Sequence, residues 1–217
     1  MQDGVVLVHG LWTNRFVMAY LARRVARAGF VPYGLTYPSM RRDLADNAAV
    51  LAAFLAQLPH GTVHLVGHSL GGLVVLACLA RHAPRHVRRV VLLASPVSGC
   101  ETGRRLARAA WGRPLLGRTC NLWTTTEPII VDARYEIGTI AGTRALGLGA
   151  MVIGVEGPSD GVVRTEEARY PHARDHVELP LAHSQVLVSP LAARQVIAFL
   201  QTGRFAEARG LPEGSGV

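Results

Sequence analysis

The 217-residue sequence predicts an α/β protein: a mostly parallel sheet of about six strands with helices on both faces. Two observations lead there. Short β-branched runs alternate with amphipathic stretches along most of the chain, which is how strand–helix–strand crossovers are written. Apolar residues make up 49% and charged residues only 18%, enough to bury a sizeable single core. With no internal repeat and no linker, residues 1–205 read as one domain, followed by a polar, Gly-rich tail over 206–217 that is expected to fray.

The elements follow in order. GVVLV at Gly4–Val8 is the first strand. A helix over about 14–28 comes next, because Met18, Leu21, Val25 and Ala28 recur at three- and four-residue spacing and Gly29 ends it. Residues 31–36 form the second strand. Asp43 is placed to cap a helix whose buried stripe is Leu44, Ala48, Leu51, Leu55 and Leu58. Residues 63–67 give the third strand, 70–83 a helix and 90–94 the fourth strand. The pattern then breaks into a Gly-, Arg- and Thr-rich excursion over 98–134, a candidate small lid, with a short helix expected over 101–111. Two segments compete for the fifth strand, EIGTIA at 136–141 and AMVIGV at 150–155; the first is preferred because a Gly-rich stretch follows it. Residues 176–179 give the last strand and 191–200 a closing helix.

Composition excludes several chemistries. All 23 basic residues are Arg, so Schiff-base chemistry, Ser–Lys dyads and a P-loop lysine are ruled out. The net charge of +8 is local: nine Arg face a single acid, Glu101, between Arg81 and Arg118, and the rest of the chain is balanced. With only 6% aromatics, this is not the footprint of a nucleic-acid binder. No apolar run approaches the ~20 residues of a transmembrane helix, and no basic leader precedes the first strand, which makes cytoplasmic the default expectation and a processed exported form the alternative. Cys78, Cys100 and Cys120 lack zinc spacing; Cys100 and Cys120 bracket a loop-rich segment and could pair in an oxidising compartment.

The strongest signal is Gly67-His68-Ser69-Leu70-Gly71-Gly72, a G-x-S-x-G set between an apolar strand and an apolar helix. That context turns the chain sharply and exposes the serine at a helix N-terminus, where amides face developing negative charge. A serine needs a base. His82 and His86 lie at the far end of the helix, and His176 sits at the wrong end of its strand. His183, in the loop after the last strand, is on the same sheet edge as Ser69 and is the base candidate. The orienting acid is sought on a loop before it. Asp160 in GPSDGVV fits, with Glu156 and Asp132 as alternatives. His9-Gly10-Leu11-Trp12 follows the first strand, so the backbone N–H of Leu11 could join that of Leu70 as a two-donor oxyanion hole. His9 and His68 read as locally packed residues, so no metal or other cofactor is implied. Trp12, Trp111 and Trp123 are candidate pocket walls.

HGLW at 9–12, TYPS at 36–39, VHLVGHSLGGLV at 63–74, GPSDGVV at 157–163 and LAHSQVLVSP at 181–190 resemble the lipase/esterase branch of the α/β-hydrolase superfamily, in particular its small single-domain bacterial members. The resemblance runs over about 4–205. It implies Ser69 as nucleophile, Asp160 as acid, His183 as base and the Leu11 and Leu70 amides as oxyanion donors. It also implies an α/β-hydrolase fold that lacks the superfamily's first two antiparallel strands and has little or no cap. A Ser nucleophile argues against dehalogenase chemistry. The expected activity is hydrolysis of carboxylic esters with an apolar acyl chain, from a small-molecule or lipid ester. Acyl transfer or amide cleavage by the same residues, and a non-catalytic binding module, are the alternatives. Arg104, Arg105, Arg108, Arg113 and Arg118 fall on the active-site edge, where they could attract an anionic lipid interface. Arg81, Arg85, Arg88 and Arg89 fall on the opposite edge, complementing a helix C-terminus.

Overall fold

A computed structural model describes residues 2–124, 127–146 and 157–207. Six strands form one sheet: β1 (Gly4–Val8), β2 (Val31–Leu35), β3 (Val63–His68), β4 (Val87–Leu93), β5 (Glu136–Gly142) and β6 (Asp175–Leu179). Their order is β2-β1-β3-β4-β5-β6 and every neighbouring pair is parallel. Helices α1 (Ala19–Arg27), α2 (Leu44–Leu55), α3 (Leu70–His82), α4 (Glu101–Arg108), α5 (Gly112–Leu116) and α6 (Pro190–Thr202) complete it.

The central strands β1, β3 and β4 are largely apolar on both faces because both are covered. Val6, Val8, Leu65, Val90 and Leu92 pack into one core with residues of α2 and α3, including Leu51, Leu55, Val74 and Cys78. Val5, Leu7, Val66, Val91 and Leu93 point the other way, into a core with Leu21 and Val25 of α1 and Val196 and Phe199 of α6. The chain leaves β1 for β2 on one side and returns to β3 on the other. The crevice beyond the C-terminal ends of β1 and β3 is therefore a topological switch point, where α/β sheets bind ligands.

Several boundaries differ from those read in the sequence. The first helix opens with a 3₁₀ turn over Arg15–Met18, capped by Asn14, whose side chain accepts from Phe16 N at 3.0 Å. Asp43 caps α2 as its position suggested, accepting from Asp46 N at 2.9 Å. β4 begins at Val87 rather than at 90, taking Arg88 and Arg89 into the strand. β5 is the earlier of its two candidates; residues 150–155 lie outside the described residues, as do residues 208–217 of the expected tail. The helix expected over 101–111 stops at Arg108, where Ala109 turns extended, and the chain folds back into α5. Cys78, Cys100 and Cys120 are all free, so Cys100 and Cys120 are not paired; the Cys100 sulfur instead caps α4, accepting from Gly103 N. Arg89 reaches a different helix end from the one expected: its Nη1 donates to Leu200 O and Gln201 O of α6, both at 2.8 Å, while Arg134 reaches Ala83 O at the end of α3. Among the described residues no helix is long and apolar enough to cross a membrane.

Candidate active site

Parallel strands deliver their following loops to one edge. Register pairs Val8 with Gly67, His68 with Leu93 and Gly142 with Leu179, so the strand tips end level and the β1, β3, β5 and β6 loops meet. Ser69 is the hinge between β3 and α3. Its backbone sits at φ 53°, ψ −124°, a region that costs a non-glycine residue on the order of 1–3 kcal/mol and persists only when the surroundings enforce it. They do: Ser69 N donates to Leu93 O at 3.0 Å, and the turn is too crowded to relax. A Cβ at Gly71 would lie 2.2 Å from Val8 O, and one at Gly67 would lie 2.6 Å from the Gly72 Cα. The motif's glycines are thus required by backbone-to-backbone approach.

Asp160 is 1% exposed, and every oxygen of its carboxylate is used. Oδ1 accepts from Val162 N at 2.9 Å and Val163 N at 2.7 Å; Oδ2 lies 2.7 Å from His183 Nδ1. The acid loop also holds the base through its backbone, since His183 N donates to Asp160 O at 2.9 Å. With Nδ1–H donated to Asp160 Oδ2, the imidazole keeps its free lone pair on Nε2. Among the described residues neither that nitrogen nor Ser69 Oγ makes a further hydrogen bond. Ser69 and His183 line the same cavity of about 300 Å³, so a bound substrate has only that link to complete. Asp132, one of the alternatives, lies before β5 at the other end of the sheet and closes its own turn by accepting from Arg134 N; Glu156 lies outside the described residues.

The loop after β1 is built as a rigid wall. His9 stacks on Tyr37 with ring centroids 4.4 Å apart, its Nδ1–H donates to Gly10 O and its Nε2 accepts from Tyr37 N. The Tyr37 hydroxyl donates to His9 O at 2.7 Å. Leu11 N–H finds no acceptor among the described residues, and Ser69 caps α3 without a side-chain hydrogen bond, so that the Leu70 and Gly71 amides also find none while Gly72 N turns back to Ser69 O. Free N–H groups from the β1 loop and from the start of α3 thus flank the serine.

His68 occupies the space beneath. It is 5% exposed, lies 4.9 Å from the His183 ring, and donates through Nε2 to His183 O at 3.2 Å. Burial, followed by the charge of a protonated His183, pushes its pKa down to about 3, so it stays neutral.

The excursion covers the cavity with Thr102, Gly103, Leu106, Leu116 and Trp123, and the loop residue Trp12 joins them. Trp12 also donates through Nε1 to Leu115 O at 2.6 Å, tying α5 to the β1 loop. Trp111 does not line the cavity: it precedes α5 with its ring 61% exposed. Three residues that the sequence reading passed over matter here. Glu167 is 3% exposed and clamps α4 to the acid loop, its Oε1 accepting from Glu101 N at 2.6 Å and its Oε2 from Arg164 N at 2.9 Å. Gly142, at the tip of β5, leaves room for the acid: a Cβ there would lie 2.7 Å from the Asp160 Cβ and 2.4 Å from Leu181 O. Thr102, one residue into α4, adds a 2.6 Å bond to Val162 O. Only a glycine at a strand tip could have hinted at Gly142, and the Glu167 clamp joins loops about 66 residues apart.

Known proteins carry the same plan. A lipase from Bacillus licheniformis in its mature form superposes with a TM-score of 0.77 at 22% identity, covering 93% of this chain and 92% of that one. A metagenomic carboxyl esterase gives a TM-score of 0.67 at 21% identity, over 85% and 65%. In sequence, a 2-hydroxy-6-oxo-2,4-heptadienoate hydrolase from Pseudomonas putida is 32% identical over 155 residues; the match spans 64% of this chain and 55% of that protein, about half its length. The family model for the alpha/beta hydrolase family matches residues 5–211, nearly the whole chain, and with the fold and topology above this places the protein in the alpha/beta hydrolase family.

Proposed function

We propose that the protein is a serine hydrolase that cleaves carboxylic esters through an acyl-enzyme on Ser69. One observation carries the reading: a buried Asp160 carboxylate holds His183 Nδ1 at 2.7 Å beside a serine strained into the turn of the same cavity. Ser69 Oγ attacks the ester carbonyl carbon while His183 Nε2 takes its proton, and Asp160 stabilises the imidazolium. The oxyanion faces the Leu11 and Leu70 amides; loss of one such donor typically costs about 10²–10³ in turnover. Collapse breaks the bond to the alkoxide, which leaves with the proton from His183. Water, activated by the same nitrogen, then releases the acid and restores Ser69. Walls made of Leu11, Leu106, Leu116, Leu187 and Trp123 favour an apolar acyl chain.

A fluorophosphonate probe with p-nitrophenyl esters from C2 to C16 tests this: labelling and turnover should both vanish in Ser69→Ala. Labelling that persists in that variant overturns the assignment. The Pseudomonas putida relative acts on an oxo acid rather than an ester, so a second reading is hydrolysis of a related carbonyl compound by the same residues. Turnover of an oxo-dienoate with none of any ester would favour it. Exposed Trp12, Trp111 and Leu115 beside Arg108 and Arg113 support a further proposal, peripheral contact with anionic lipid. Activity on anionic vesicles should then fall with salt; indifference to salt removes it.

A further inference from the structure

Behind the cavity that holds Ser69 lies a second one of about 430 Å³, running along the outer side of α3. Leu73, Ala77, Val97, Leu122 and Ile129 form its apolar wall, and among the described lining residues charge is found only in Arg81 and Glu127. The two cavities share three lining residues: Pro96, Cys100 and Trp123. Pro96 follows β4 directly, and Cys100 is fixed as the cap of α4. Trp123 is therefore the one large side chain whose size decides whether the cavities are separate. It is 6% exposed and wedged in place, its Nε1 donating to Thr119 Oγ1 at 3.2 Å. Its ring fills the space over Gly103, where even a Cβ would lie 2.7 Å from the indole.

We propose that Trp123 sets the chain length of the substrate by walling off the second cavity from the first. The inference rests on the serine-hydrolase reading, and it names the substrate class as esters of short to medium acyl chains. A cavity of about 300 Å³ lies at the small end of ligand pockets, which run from about 300 to 1,000 Å³. An octyl tail fits beside the reacting centre and a dodecyl tail does not: its last methylenes meet the indole and turn out to water, where they gain nothing. Opening the wall admits them to a second apolar space, where each buried methylene is worth about fourfold.

The test is the rate at which butyl, octyl and dodecyl fluorophosphonates label Ser69, which reads the cavity whatever the natural acyl acceptor. In the natural protein the dodecyl probe should label no faster than the octyl. In Trp123→Ala the dodecyl-to-octyl ratio should rise at least tenfold, and up to about 250-fold if all four added methylenes are buried, and adding Ala77→Phe, which fills only the second cavity, should cancel the gain. Trp123→Leu should move the ratio in the same direction with a smaller void in the fold. A ratio unchanged within twofold in either folded variant overturns the proposal. So does a natural protein in which the dodecyl probe is already more than tenfold faster than the octyl. Butyl labelling and butyl ester turnover that stay normal while the ratio stays flat remove only the wall. Labelling that obeys the ratio without turnover of any ester removes only the ester reading. Failure of every probe to label Ser69 removes both.

Discussion

Replacing Asp160 by asparagine changes one atom and should stop the chemistry without unfolding the protein. The carboxylate serves two masters: Oδ1 takes the amides of Val162 and Val163 at 2.9 and 2.7 Å, and Oδ2 takes the His183 Nδ1 proton at 2.7 Å. An asparagine has one acceptor and one donor end. If its oxygen keeps the two amides, its NH₂ faces His183 Nδ1. The ring must then accept there and carry its proton on Nε2, where it cannot relieve Ser69 of its own. The flipped orientation restores the productive tautomer but sets NH₂ against two buried N–H groups. At about 1–3 kcal/mol for each unsatisfied donor, that costs about 2–6 kcal/mol, or between about 30-fold and 10⁴-fold in the population able to react. Losing the charge opposite the imidazolium adds to this, so Asp160→Asn should lower kcat by about 10³–10⁴; the equivalent change in a serine protease costs about 10⁴. The assay is steady-state hydrolysis of p-nitrophenyl butyrate, with thermal denaturation to confirm the fold. A folded variant within tenfold of the natural rate would refute the role.

Other positions give independent checks. Gly142→Ala places a methyl 2.4 Å from Leu181 O and 2.7 Å from the Asp160 Cβ, so the acid must shift; kcat should drop about 10- to 100-fold, and an unchanged kcat would show the strand tip has slack. Glu167→Gln can keep only one of the acceptor bonds to Glu101 N and Arg164 N, and should cost about 1–3 kcal/mol in urea denaturation. Arg89→Met removes two 2.8 Å bonds to the end of α6 and one partner of Glu136, for a loss of about 3 kcal/mol with kcat unchanged, since it lies at the opposite sheet edge. His68 is held neutral by burial with its pKa down at about 3. The unfolded chain takes up a proton below about 6.5 that the folded chain refuses, so stability should fall as pH drops from about 6.5 towards 3, by up to tenfold in the folding constant per pH unit from this group. His9, His64 and His176, lowered chiefly by burial, act in the same direction. A denaturation midpoint flat between pH 7 and 5 would contradict this.

Strands and the elbow were legible in the sequence because their causes are local. Apolar runs of five or six residues bounded by turns marked β1 and β3, and Ser69 was readable because a strand, a crowded turn and a helix all lie within a dozen residues. His183 and Asp160 followed from topology, which puts the loops after parallel strands on one edge. What escaped the reading depends on partners far along the chain. Arg88 and Arg89 looked like a loop before β4, yet both pair with Glu136, and Arg89 also caps α6 more than a hundred residues away. Glu136 stays ionised against its own burial because the guanidinium groups of Arg89, Arg88 and Arg174 surround it. Trp111 looked like a pocket wall by its position in the excursion; the break at Ala109 turned it outward. Trp123 and Trp111 are alike as sequence, and only the packing of α4 on the 3₁₀ turn over Gly117–Thr124 separates their fates.

The bond between Glu167 and the first turn of α4 bears on how this scaffold can be rebuilt. The excursion begins on the same carboxylate that closes the loop carrying Asp160, and Thr102 doubles the tie. A replacement roof grafted at Ser98, where the sequence suggests a seam, would displace the Glu101 amide that bonds Glu167 and leave the Asp160 loop without that tie. The natural joint lies later, at Ala109, where the backbone is already extended and α4 has made its bonds to Glu167 and Val162. Exchanging the roof between that point and β5 varies the cavity wall around Trp123; exchanging α4 alters the support of the Asp160 loop.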